Sequence, residues 1–186
     1  MLANNPYHVE MNEEEDEEDT ILETCSPPQL LKHFFKLQNQ RCQTYKQLNN
    51  GQNFFIQTND FRWFRSLLLD ITTIFNRISS EIIDIRKLFE KENHYTSIVK
   101  HMEQIQDYEK DKLQLTNELF LCRKEYEDSK KATADNKIVD YDEEMRQTDI
   151  IDKKKSQLAK LIENINDTLE ELKYEYSELV ENKQID

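Results

Sequence analysis

"FRWFRSLLLDITTIFNRISSEIIDIRKLFE" (Phe61 to Glu90) decides the fold. Phe61, Phe64, Leu68, Ile71, Phe75, Ile78, Ile82, Ile85 and Phe89 recur at alternating steps of three and four residues. That period marks one face of a helix, about four heptads long. At 1.5 Å per residue the seam spans on the order of 45 Å. Asn59 or Asp60 suits its N-cap, because a short polar side chain there accepts a hydrogen bond from an otherwise unpaired backbone N–H. An apolar stripe of this length must be covered by neighbouring helices or by another subunit.

The rest of the chain has the same character. Its 186 residues suffice for one domain with a real core. Hydrophobic residues make up 37% and charged residues 34%, with a single Gly and three Pro. Hairpins and sandwiches need turn residues that this composition lacks, so long helices are expected instead. No apolar run approaches the roughly 18 residues of a membrane span. The opening "MLANNPYHVE" has no basic flank followed by an apolar stretch, so no secretory signal is read there. An intracellular protein, in nucleus or cytoplasm, is the expectation. Cys25, Cys42 and Cys122 lie far apart with no CxxC pair. They are read as reduced thiols, with Cys42 and Cys122 packed on helices as small apolar groups.

Charge is unevenly spread. Of the 38 acidic residues, nine fall in the first 29 positions, where no Lys or Arg occurs, leaving 29 acids against 25 bases. A block such as "EEEDEED" (Glu13 to Asp19) repels itself and cannot bury a core. Residues 1–27 are therefore expected to form a disordered acidic arm. The nearly balanced body lacks the basic excess of a tight duplex-DNA binder, which disfavours direct nucleic-acid binding.

"SPP" (Ser26 to Pro28) marks the start of a first helix, since proline loses no intrahelical donor in the first turn. That helix is expected to run from about Gln29 to Asn49, with Gly51 as the left-handed residue ending it. "KENH" (Lys91 to His94) reads as a turn. A third helix carries Ile98, Ile105, Tyr108, Leu115, Leu119, Cys122 and Tyr126 on one stripe, with Met102 beside it. Residues 129–148 are poor in apolar side chains and read as a polar linker or an exposed helix. A C-terminal amphipathic helix over 149–182 places Ile151, Leu158, Ile162, Ile165, Leu169, Leu172, Tyr176 and Leu179 on a last seam, interrupted by Lys155. The fold expected is all-α: a long-helix antiparallel bundle or a coiled-coil hairpin behind the acidic arm.

Catalytic chemistry is not written in these residues. A single glycine cannot make a phosphate loop or a dinucleotide fingerprint. No Gly-flanked Ser, Cys–His pair or HExxH occurs, and no cofactor is implied. His94 and His101 are seven residues apart, about two turns, too far to chelate one metal from a rigid helix. No metal site and no enzyme is read here. "FRWFR" (Phe61 to Arg65) interleaves aromatics with arginines, a pattern that can stack the bases of single strands. Core packing of Phe61 and Phe64 is preferred, because both begin a seam that continues down the helix. "KKK" (Lys153 to Lys155) reads as a solvated helix face.

Polar interruptions are more informative. In the first helix the stripe Phe34, Gln38, Arg41, Tyr45, Leu48 keeps its spacing, yet Gln38 and Arg41 are polar. In the third helix Lys112 interrupts between Tyr108 and Leu115, with Glu109 three residues before it at ion-pair spacing. Two readings stand side by side. The residues form matched buried layers that set helix register, as a buried Asn does in coiled coils. Alternatively they edge the stripe, with their stems over apolar surface and their charges in water. Contact with a partner protein is a third use of the same groups.

Three stretches together resemble the required-for-excision 1-B domain family: "LLKHFFKLQNQRCQTYKQLNNG" (Leu30 to Gly51), "FRWFRSLLLDITTIFNRISSEIIDI" (Phe61 to Ile85) and "IVKHMEQIQDYEKDKLQLTNELFL" (Ile98 to Leu121). The resemblance is carried by Leu37, Gln38, Arg41, Tyr45 and Gly51, by Phe75 and Ser79-Ser80, and by Gln106, Glu109, Lys112, Leu113, Leu115 and Thr116. It implies a small helical factor associated with excision repair of DNA damage, over a domain at 28–128. It adds Gln106 to the polar-layer and partner candidates Gln38, Arg41, Glu109 and Lys112. It supplies no catalytic residue. The expected partners are other proteins, met through the helical seams as homo- or hetero-oligomers, with no membrane contact. A structural coiled-coil subunit of a cytoskeletal or ciliary assembly is the alternative.

Overall fold

The structure is a computed structural model that describes residues 22–136 and 141–182. Four helices follow in order: α1 (Pro27–Thr58), α2 (Phe61–Glu90), α3 (Thr96–Asn136) and α4 (Tyr141–Asn182). They form an antiparallel bundle, and no strand occurs among the described residues. Residues 1–21 of the expected acidic arm lie outside the described residues. The arm's last residues do not continue it: Leu22–Thr24 make a 3-10 turn, and Leu22 and Cys25 pack against the core.

Local chemistry explains each helix boundary. At the start of α1, the Ser26 backbone N–H donates to Gln29 Oε1 at 2.8 Å, and prolines occupy the first two helical positions. Gly51 does not end this helix. α1 runs about two turns further, to the cap residue Asn59, which takes φ 56° and donates its N–H to Phe55 O. Asn59 thus caps α1, and the next residue, Asp60, caps α2 by accepting from Trp63 N–H at 3.1 Å. The two expected N-caps are divided between two helices.

Gly51 serves the helix crossing instead. A Cβ on it would lie 2.0 Å from Leu67 Cδ2. Its missing side chain lets α1 and α2 approach closely where Leu67 is buried.

Residues 137–140 lie outside the described residues. On either side the chain is helical to Asn136 and from Tyr141, so residues 129–136 and 141–148 belong to long helices of a hairpin. Tyr126 Oη, donating to Glu144 Oε1 at 3.1 Å, and Lys154 Nζ, 2.8 Å from Glu118 Oε2, join α3 to α4 along it.

The core is in two parts. One cluster joins the N-terminal half of α1 (Leu30, Leu31, Phe34, Leu37), the C-terminal half of α2 (Ile78, Ile82, Ile85, Phe89), the start of α3 (Ile98, Met102, Ile105) and Leu172 of α4. The other joins Tyr45, Leu48 and Ile56 of α1, Phe64, Leu67, Ile71 and Phe75 of α2, and Phe120 of α3. No α4 residue belongs to the second cluster.

Several expected seam positions shift. After Phe64 the next buried residue of α2 is Leu67, not Leu68. Phe61 is 66% exposed. It sits in the first turn, past the last contacts of the α1–α2 seam, the Phe55–Phe64 stack at 4.6 Å and the Phe54–Trp63 edge contact at 4.6 Å. In α3 the buried line runs Ile98, Met102, Ile105, Glu109, Thr116, Phe120. The expected Leu115, Leu119, Cys122 and Tyr126 are half-buried. Ile162 of α4 is exposed, and so is Cys42, which does not act as a packed apolar group.

Candidate functional site: a polar layer between two cores

The two apolar clusters are separated by a polar layer. From α1 come Gln38, Arg41 and Tyr45, from α2 Ser79, and from α3 Glu109 and Lys112. Gln38 and Arg41 project from adjacent turns of one α1 face, and Glu109 and Lys112 from adjacent turns of α3. The antiparallel crossing brings these faces together. Residues that carried the resemblance, far apart in sequence, meet here.

Lys112 Nζ donates to both carboxylate oxygens of Glu109, at 3.0 and 3.2 Å. The same ammonium lies 3.8 Å from the centroid of the Tyr45 ring. Tyr45 Oη donates to the Glu109 backbone carbonyl at 3.2 Å, and its ring packs on Phe75 at 4.9 Å. Arg41 Nη2 donates to Ser79 Oγ at 3.2 Å. Glu109, Lys112 and Arg41 thus face inward and are partnered within the chain.

Satisfaction is incomplete. Arg41 Nη1 and Gln38 Nε2 are buried without a hydrogen-bond partner among the described residues. Each such group costs about 1–3 kcal/mol. Gln106 is half-buried and takes no part in these bonds. Thr44 and Thr116 satisfy their hydroxyls on their own helices, at Gln40 O and Lys112 O.

Electrostatics follow from burial. Desolvation lowers the affinity of Arg41 for its proton, and the charge of Glu109 opposes that shift. Burial, then the charge and hydrogen bonding of Glu109, push the Tyr45 hydroxyl well above its ordinary range, against the pull of Arg41. Two cations thus surround one anion, and the tyrosine stays neutral.

Two further polar sites clamp helix pairs. His33 Nε2 lies 3.0 Å from Glu81 Oε2, while Arg77 Nη1 donates to Glu81 Oε1 at 2.7 Å. Burial alone would raise this carboxyl; bonds and charges from His33 and Arg77 outweigh it and hold Glu81 below the usual range. Between α3 and α4, Ser97 Oγ donates to Glu175 Oε1 at 2.6 Å, and His101 Nδ1 lies 3.0 Å from the same oxygen. The carboxylate stands between hydroxyl and imidazole. A serine nucleophile needs the imidazole on its hydroxyl, an order this site does not have.

Among the described residues no group of three or more His, Cys, Asp or Glu could hold a metal ion. No helix there is long and apolar enough to cross a membrane. Two of the three lysines at 153–155 are in ion pairs, Lys154 with Glu118 and Lys155 with Asp152.

Sequence reasoning found Gln38, Arg41 and Lys112 as interruptions of a stripe and Glu109 as an ion-pair partner for Lys112, but missed the role of Ser79. A serine beside isoleucines carries no periodic signal; only the α1–α2 crossing sets it opposite Arg41.

No curated protein and no solved structure matches the chain. A family model described as DNA repair REX1-B matches residues 29–123, from the first turn of α1 to Arg123 of α3. That span covers over half the sequence and contains every residue of the polar layer. The chain belongs to the DNA repair REX1-B family.

Proposed function

We propose that this protein serves excision repair of DNA damage as a non-enzymatic adaptor that acts through protein partners. The observation that carries this reading is where the polar chemistry lies. Family membership ties the chain to DNA repair. Yet Arg41, Glu109 and Lys112 turn inward, and their contacts run between helices of the same chain. Such a layer would serve helix register, and among the described residues its groups face the bundle interior rather than solvent. The outer faces of a rigid bundle are then what remains for contact with other molecules. A nuclear site of action follows from this role.

The test is genetic and biochemical together. Cells lacking the protein are expected to become sensitive to ultraviolet damage, with recovery on return of the full chain. Affinity purification after irradiation is expected to recover repair proteins. Unchanged damage sensitivity, with the protein located on a filament system, would replace this reading by the structural coiled-coil subunit. Oligonucleotide binding with a steep salt dependence would replace it by direct DNA contact.

A further inference from the structure

The outward face of α2 combines exposed apolar side chains with unpaired cations. Phe61, Arg62, Arg65, Leu69, Thr72 and Ile83 fall within an arc of roughly 100° of the helix. Phe61 is 66% exposed, Leu69 61% and Ile83 38%. Arg62 and Arg65 are exposed, and neither side chain makes a hydrogen bond or an ion pair among the described residues. Four lysines of α3 and α4 are paired within their own helix: Lys124 with Asp128, Lys155 with Asp152, Lys160 with Glu163, Lys173 with Glu170. Between Phe61 and Ile83 no acid lies within the arc; Glu90, further along, pairs with Arg86.

Two threonine hydroxyls on or beside this face are already satisfied. Thr72 Oγ1 donates to Leu68 O at 2.7 Å, and Thr73 Oγ1 to Leu69 O at 3.0 Å. Covering them would bury methyl groups and strand no donor. Covering the two guanidiniums would be costly unless carboxylates came with the cover. A surface with exposed apolar anchors, self-satisfied hydroxyls and two unpaired cations is matched by an apolar stripe flanked by acids.

We infer that the outward face of α2, from Phe61 to Ile83, docks an acidic amphipathic helix of a partner protein, with Arg62 and Arg65 pairing its carboxylates. The inference rests on the adaptor reading and names its surface. Apolar side chains of the partner lie along Phe61, Leu69 and Ile83, over a length of about 33 Å. Single-stranded nucleic acid fits less well: Leu69 and Ile83 offer no ring for a base to stack on. The chain's own acidic block does not reach. Glu13 is nine residues before Leu22, a reach of at most about 32 Å, whereas Arg65 lies some 40 Å along the bundle from the start of α1.

The test uses the full chain and a fluorescent amphipathic helical peptide of about twenty residues, with leucines at helical spacing and flanking glutamates. Anisotropy is expected to show saturable binding, weakened at least tenfold by Arg62→Glu/Arg65→Glu and by Phe61→Ser/Leu69→Ser. A peptide with lysine in place of glutamate is expected to bind the charge-reversed protein. Both substitutions lie on an exposed face, and circular dichroism checks that helicity is unchanged. Absence of binding, equal binding of a scrambled peptide, or tighter binding of oligothymidylate would each overturn the proposal. So would sedimentation showing that Leu69→Ser abolishes self-association, which assigns the face to a second copy. If affinity capture from irradiated cells recovers the same repair partners with the charge-reversed protein, this surface fails while the adaptor reading stands.

Discussion

The Lys112 ammonium lies 3.8 Å from the centroid of the Tyr45 ring, joining α3 to α1 at the level where the apolar core is interrupted. Its carboxylate partner, Glu109, is buried and is the one anion facing both Lys112 and Arg41. The layer is therefore asymmetric, and its parts should not be equally expendable.

Glu109→Gln is expected to cost about 3–5 kcal/mol, because it leaves two buried cations uncompensated. Lys112→Met is expected to cost less, about 1–3 kcal/mol, since Arg41 still opposes Glu109 and the methionine stem fills the space. Urea melts of the two variants measure the order directly. An equal or reversed order would mean that Arg41 does not share in balancing Glu109. Sedimentation of Lys112→Met tests register: unchanged assembly with a cooperative melt would confine the layer to stability.

Tyr45 supplies a prediction at alkaline pH. Its hydroxyl is held above its ordinary range in the folded protein, so near pH 10 the unfolded chain loses that proton while the folded chain keeps it. Protonated, folded Tyr45 then opposes folding, and stability falls as pH rises through the ordinary tyrosine range. Tyr45→Phe is expected to lose about 1 kcal/mol at neutral pH with the hydrogen bond to Glu109 O. It should also flatten the alkaline decline. Denaturant melts at pH 8 and pH 10.5 on both proteins decide it; parallel declines would show that the hydroxyl is already free to ionise.

Glu81 works at the other end of the scale. Its carboxyl is depressed in the fold, so the stability it contributes is present above the ordinary carboxylate range and disappears as pH falls through its folded value. The stability gap between the parent and Glu81→Gln should be widest near neutrality and should close in acid. Melts at pH 7 and pH 3.5 measure the gap. A gap of constant size would mean that the α1–α2 clamp depends on shape alone and not on the charge of Glu81.

Gly51 tests the helix crossing. Alanine improves intrinsic helix propensity by about 1 kcal/mol, but here its Cβ would meet Leu67 Cδ2 at 2.0 Å. Gly51→Ala is expected to destabilise by about 1–2 kcal/mol net, through displacement of a buried leucine. Leu67→Ala should cost less in the Gly51→Ala background than alone, because the new methyl partly fills the space. A double-mutant cycle measures that coupling. Stabilisation by Gly51→Ala would show that Leu67 moves aside freely.

Helical class was open to reading before any coordinate. The three-four spacing from Phe64 to Phe89 and the scarcity of turn residues both follow from local geometry, in which a helix face repeats every 3.6 residues. The same periodicity exposed Gln38, Arg41 and Lys112 as polar side chains at apolar positions. It misled where the answer depended on a neighbour. Gly51 has the residue type of a helix end, and only the approach of Leu67 makes it a crossing point. Phe61 keeps the seam's spacing, yet no helix stands opposite it.

By itself, then, the sequence determined which residues share a helix face and which break its apolar pattern, since these are properties of one helix. Tertiary structure alone decided that Lys112 meets Tyr45, that Arg41 meets Ser79, and that Arg62 and Arg65 remain uncovered. Those outcomes depend on the angle and register at which separate helices pack, set by side-chain shape across the whole core rather than by any local period.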